Sequence, residues 1–117
     1  MKFLKAIFAL ILGKKKIPLH ARPRIRSLIK HIETVDDPIK KVLEADKILH
    51  EALKSFGSNK SMGDLLKRYG SKLPNEQSTW NAHKLRNRIA HEPMMKVSRD
   101  DSDRAVAALL KATLSLL

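Results

Sequence analysis

Cysteine is absent from the 117-residue chain, which excludes disulfides and thiolate metal sites. Aromatic residues are scarce: one Trp, one Tyr and three Phe. No stretch alternates apolar and polar residues, so no strand is expected, and no segment repeats. There is no glycine-rich phosphate loop, and no Ser, His and Asp stand in a pattern suited to nucleophilic catalysis. The apolar run Phe3 to Leu12 is too short to cross a bilayer, which takes roughly twenty residues. Gly13-Lys14-Lys15 is a poor cleavage site, so the run does not read as a signal peptide. Acids are missing altogether from residues 1–32, which hold nine Lys and Arg.

What is present in excess is positive charge, unevenly spread. The net charge is +12, yet residues 33–117 set fifteen Lys and Arg against twelve acids and carry only +3 of it. The basic character therefore belongs to an N-terminal arm, residues 1–35, and implies an anionic partner, nucleic acid or a membrane surface. Residues 1–16 admit two readings. They form an interfacial anchor, with apolar side chains in lipid and Lys14, Lys15 and Lys16 on anionic headgroups; or they form a helix that docks on its own domain or on a second subunit. Pro18 and Pro23 make a hinge, and Arg22, Arg24 and Arg26 are candidate RNA contacts. Ile25, Leu28, Ile29 and Ile32 then give a short amphipathic helix from near Arg24 to near Thr34.

Residues 36–117 read as a helical domain. Asp36-Asp37-Pro38 is a capped start with proline in the first turn. The stripe Ile39, Val42, Leu43, Leu49, Leu53 and Phe56 defines a helix over about residues 37–56, stopped by Gly57. Asp46 falls in the middle of that stripe, where a carboxylate is costly unless paired. Ser61, with Asp64 three residues on, starts a short helix that Pro74 closes. Asn75 or Ser78 starts the next. Val97 to Asp101 begins the last, with acids in the first turn and Val106, Leu109, Leu110, Thr113, Leu114 and Leu117 as its buried side. The expected fold is all-α, an antiparallel four-helix bundle with the N-terminal arm added.

The densest chemistry lies in Trp80-Asn81-Ala82-His83-Lys84-Leu85-Arg86-Asn87-Arg88-Ile89-Ala90-His91-Glu92-Pro93. It reads as a helix: Ala82, Leu85 and Ile89 make a narrow apolar face, and Pro93 ends it near Glu92. Metal binding is not suggested, because His83 and His91 are eight residues apart and neither has a carboxylate at ligand spacing. The residues suit phosphodiester chemistry without metal. His91 can take the proton of a ribose 2′-hydroxyl or give one to a leaving 5′-oxygen. Arg86 can hold a phosphoryl oxygen with two donors while charge grows on it. Asn87, one turn from His91, can orient it or a phosphate oxygen. His83 and Lys84 read as a solvated face or phosphate contacts, Arg88 as solvent-facing, and Glu92 as a local cap or pair.

Leu85-Arg86-Asn87-Arg88-Ile89-Ala90-His91-Glu92 resembles the signature of the HEPN domain family: an arginine, a polar residue, three residues and a histidine. Arg24 to His31 and Arg26 to His31 fit the bare spacing too. Only Arg86 to His91 has the Asn, the preceding Leu and the following Pro. The run Val42 to Leu53 is similar to the long helix that precedes the motif in that family, and the resemblance covers roughly residues 36–117. It implies a HEPN-type bundle and a metal-independent endoribonuclease, without cofactor, that leaves 2′,3′-cyclic phosphate ends. It also implies a homodimer, RNA as substrate, and a toxin-like activity checked by an antitoxin partner. Many family members instead bind nucleotides or partners without cutting, so a non-catalytic dimerisation or RNA-binding module is the alternative. The expected location is the cytoplasm, with the inner face of a membrane as the place where the arm would dock.

An ideal helix turns about 500° over five residues, which points Arg86 and His91 about 140° apart. A dimer resolves the difficulty: Trp80, Lys84, Asn87 and His91 share a face, and two copies about a two-fold axis would form one cleft, with Trp80 as interface anchor. Asp46 is expected to pair with Arg86.

Overall fold

The computed structural model describes residues 16–117. Among them lie five α-helices, α1 (Arg22–Ile32), α2 (Pro38–Lys54), α3 (Met62–Tyr69), α4 (Glu76–His91) and α5 (Arg99–Ser115), and no strand. Leu19–Ala21 and Gly70–Lys72 are short 3-10 turns.

Three of the helix starts follow directly from side chains that replace missing backbone acceptors. Asp37 accepts from the Ile39 N–H at 3.0 Å ahead of α2. Ser61 accepts from the Asp64 N–H at 3.2 Å ahead of α3. Ser98 accepts from the Asp101 N–H at 3.1 Å ahead of α5. After α2 the chain leaves through Gly57, whose φ of +103° lies where a side chain would be strained. Phe56 then meets Tyr69 edge-on at 4.9 Å, which ties the end of α2 to α3.

Helix α2 is central and packs against the other four. Its Val42, Ala45, Ile48, Leu49, Ala52 and Leu53 meet Leu65 and Leu66 of α3 and Leu109 and Ala112 of α5 in one core. Fully burying each Val, Leu or Ile side chain here contributes about 1.5–3 kcal/mol, so this layer sets where α2 holds Asp46.

Residues 17–35, set with the arm in the sequence reading, do not stand apart from this core. Ile17, Ile25 and Ile32 are buried in it, and the Ile17 N–H donates to the Leu116 carbonyl at 2.6 Å. Their apolar stripe outweighs the basic composition of the segment, whose charges lie on the outer side. The two readings of residues 1–16 concern a run that, up to residue 15, lies outside the described residues. Among the described residues no helix is long and apolar enough to cross a membrane.

Two helix faces differ from expectation. In α5 the buried side runs through Ser102, Ala105, Val106, Leu109, Ala112 and Thr113, which leaves Leu114 54% exposed, a quarter-turn off that side. In α4 the buried residues are Thr79, Ala82 and His83, while Leu85 and Ile89 are only half-buried. The helix is rotated toward His83, because a carboxylate waits for it inside.

Candidate functional site

That carboxylate is Asp46, 4% exposed on the inner side of α2. A bare charge there would be expelled or neutralised. Instead His83 Nδ1 donates to Asp46 Oδ1 at 2.9 Å. Arg86 Nε stands 3.8 Å from Asp46 Oδ2, an ion pair longer than a hydrogen bond. Arg86 Nη1 donates to Asn87 Oδ1 at 3.2 Å, and Asn87 Nδ2 faces His83 Nε2 at 3.4 Å. The four side chains therefore close a ring across α2 and α4.

The expected Asp46–Arg86 pair is present, but the shorter bond to Asp46 belongs to His83. The reading of His83 as a solvated or phosphate-contacting residue is corrected: it is 7% exposed and committed to Asp46. His83 and Arg86 stand at i and i+3 on α4, so both reach the same side of α2.

The ring lines a cleft of about 370 Å³ with His50, Ser61, Met62 and Gly63. None of these four was read from the sequence as a site residue, Ser61 only as a helix cap. The signal for His50 was its place one turn after Asp46 on α2. Its Nε2 lies 3.0 Å from the Lys60 carbonyl, which holds the loop before α3 against α2. A second groove, of about 320 Å³, lies between α4 and α5 and contains Asn81, Asp101 and Arg104 but no histidine.

His91, the last residue of α4, is exposed and is not part of the cleft lining. Among the described residues its side chain makes no hydrogen bond or ion pair. Arg86 and His91 are thus not brought together within one chain, as the helical geometry required. Lys84 is exposed. Trp80 is half-buried, packed on the core, with its ring edge-on to His83 at 6.3 Å. Arg88 is exposed and pairs with Glu92 at 3.5 Å, so both solvent and local pairing describe this end of the helix.

The three arginines proposed as RNA contacts differ. Arg22 donates from Nε to the Ile17 carbonyl at 2.8 Å. Arg24 makes two hydrogen bonds to Glu51, at 3.0 and 3.1 Å. Those bonds, and then the charge of Glu51, raise the Arg24 pKa. The same bonds hold the Glu51 carboxyl below the usual range. Arg26 is exposed and, among the described residues, has no such partner. Arg22 and Arg24 are spent first on organising the fold, because each finds an acceptor within reach.

Among the described residues no three His, Asp or Glu side chains gather as metal ligands. Compared with protein-family models, with curated proteins and with solved structures, the chain matches none.

Proposed function

We propose that the chain is a metal-independent endoribonuclease of HEPN type that works as a homodimer. The observation that carries the reading is the pairing of Arg86 with a buried carboxylate, and of Asn87 with Arg86, at the edge of a cleft, with His91 exposed one turn beyond Asn87. In the proposed reaction His91 moves the proton of the 2′-hydroxyl or of the leaving 5′-oxygen. Arg86 takes the charge that develops on the phosphoryl oxygens. The 2′-oxygen forms its bond to phosphorus, the bond to the 5′-oxygen breaks, and a 2′,3′-cyclic phosphate is left.

Two copies of α4 about a two-fold axis would bring exposed His91 side chains together with two Arg86 groups, Trp80 lying at that junction. In this reading α1, α2, α4 and α5 are the four helices of the HEPN-type antiparallel bundle, and α3 is a short insertion beside the cleft. Arg26, Lys84 and the lysines of residues 1–15 supply phosphate contacts, Lys16 being bonded to the Ser115 carbonyl at 2.9 Å. An antitoxin partner that covers the same face would silence the activity.

A second reading is a non-catalytic dimerisation or RNA-binding module. It is favoured by the engagement of Arg86 with Asp46 and Asn87 and by the absence of His91 from the cleft lining. Incubating the protein with varied RNAs in EDTA separates the two. Cyclic-phosphate ends are expected. A folded, dimeric protein that cuts none of the RNAs would leave the binding module as the better account.

A further inference from the structure

The ring around Asp46 contains a histidine that the proposed chemistry does not use, and its protonation pattern follows from one starting fact. Arg86 carries only donors. The Asn87 atom 3.2 Å from Arg86 Nη1 is therefore the amide oxygen. The amide nitrogen then faces His83 Nε2 at 3.4 Å, and since that nitrogen donates, Nε2 accepts. A neutral imidazole with a bare Nε2 carries its proton on Nδ1. Nδ1 lies 2.9 Å from Asp46 Oδ1, a carboxylate oxygen that only accepts. Each role fixes the next, and the chain of roles returns through Asp46 Oδ2 to Arg86 Nε.

We propose that His83, with its proton on Nδ1, is the positioning residue that orients Asn87 and, through it, the Arg86 guanidinium toward the phosphodiester. The inference deepens the ribonuclease reading and rests on it for its kinetic test. Three observations support a held geometry. His83 is 7% exposed, so little of its ring meets solvent. The Trp80 ring stands edge-on to it at 6.3 Å, which opposes a ring flip. Arg86 is only partly covered, its side chain 39% exposed, so one edge is tied inward while the other is open to the cleft. Without the acceptor at Nε2, the Asn87 amide loses one of its two contacts and is held only by the bond its oxygen accepts from Arg86, so both side chains gain freedom to move.

The test is a substitution that keeps one half of the imidazole. In His83→Asn the short amide nitrogen stands where Nδ1 stood and continues to donate to Asp46, but nothing accepts from Asn87. With full-length dimer and an RNA substrate in EDTA, the variant is expected to lose about 10–100-fold in kcat, the scale of a misplaced transition-state contact. KM and the thermal midpoint should stay near wild type. Long-range ¹⁵N spectra of the wild-type ring should show a protonated Nδ1 and a bare Nε2. Wild-type kcat in His83→Asn, or a proton on Nε2 in the wild type, would overturn the inference. If the wild type cuts no RNA, the ribonuclease reading fails, and Arg86 Nε–H exchange still decides the positioning. Slower exchange in wild type than in His83→Asn supports it, and equal exchange refutes it.

Discussion

Asp46 and His83 are 37 residues apart in the chain and meet at 2.9 Å in the interior, Nδ1 donating to Oδ1. The bond joins α2 to α4 at a point where both are covered, 6% and 9% side-chain exposure respectively. It is also the contact that turns α4 so that Arg86 and Asn87 reach the cleft. Fold and candidate site are thus joined through the same carboxylate.

Asp46→Ala is therefore expected to destabilise the protein by about 3–5 kcal/mol, the cost of removing one partner from a buried pair. His83 would be left with an unmatched donor inside, and Arg86 would lose its inner anchor. Denaturant unfolding, read by circular dichroism, measures the loss. An Asp46→Ala variant with an unchanged midpoint would mean that the pair is dispensable to the fold.

The Arg24–Glu51 pair should leave a trace in acid. Hydrogen bonds from Arg24 lower the Glu51 pKa, partial burial opposes them, and the charges of Arg24, Lys54 and Lys47 add to the lowering. A carboxyl held low in the folded state contributes stability in full above its unfolded value, about 4.3. That contribution is lost as pH falls through the lower folded value. Glu51→Gln should therefore be less stable than wild type above about pH 5, with the two converging in strong acid. The difference will be small and reduced by salt, because the Arg24 side chain is 69% exposed. Urea midpoints at two pH values and two salt concentrations decide it. A difference that grows toward low pH would contradict the sign.

Much of the fold was legible because local signals agreed with one another. Asp37, Ser61 and Ser98 each lie at a cap that the sequence marks, and each makes its hydrogen bond. Asp46 was legible as a residue in need of a partner, since a carboxylate on an apolar stripe has few other meanings. Its nearer partner was not. Arg86 and His83 sit three apart on α4, and periodicity alone favoured turning Ala82, Leu85 and Ile89 inward. The tertiary gain of satisfying Asp46 rotated the helix, and no pattern within α4 carries that information. The cleft was illegible for a related reason: Ser61, Met62 and Gly63 reach it through tertiary contacts, among them the His50–Lys60 carbonyl bond and the burial of Met62. At residues 17–32 the stripe of Ile25 and Ile32 was legible, but the nine-to-none charge asymmetry over residues 1–32 set the segment apart as an arm, whereas Ile17, Ile25 and Ile32 belong to the core.

Because of those isoleucines, the basic arm is best tested with a short deletion. Removing residues 1–32 would take Ile17, Ile25 and Ile32 out of the core. Removing residues 1–15 keeps them and still deletes Lys2, Lys5, Lys14 and Lys15. If these lysines meet RNA phosphates, the logarithmic salt dependence of binding should flatten by about 0.7 for each phosphate no longer neutralised. An unchanged slope would show that the lysines do not touch the nucleic acid. Tighter binding to anionic vesicles than to RNA, abolished by the same deletion, would assign the run to a lipid surface instead.

His91 can be compared directly with the two decoy matches to the spacing of its motif. It is exposed at the end of α4, packs on nothing in the core and makes no side-chain bond among the described residues. A protonated imidazole at a helix C-terminus gains only about 0.3–1 kcal/mol from the helix dipole. His91→Ala should therefore fold and dimerise as wild type does, while losing a general acid–base worth roughly 10²–10⁴ in rate. Arg86→Ala should lose as much, and some stability with it, because Asp46 and Asn87 both lose a partner. Arg26→Ala and His31→Ala remove exposed side chains on α1 and should leave kcat within a few-fold of wild type, Arg26→Ala raising KM alone through its lost phosphate contact. All four variants are compared on one RNA in EDTA, with unfolding midpoints measured alongside. Equal activity across the four, against an active wild type, would move the chemistry off α4. Loss in Arg86→Ala with full activity in His91→Ala would keep the cleft and assign proton transfer to another group.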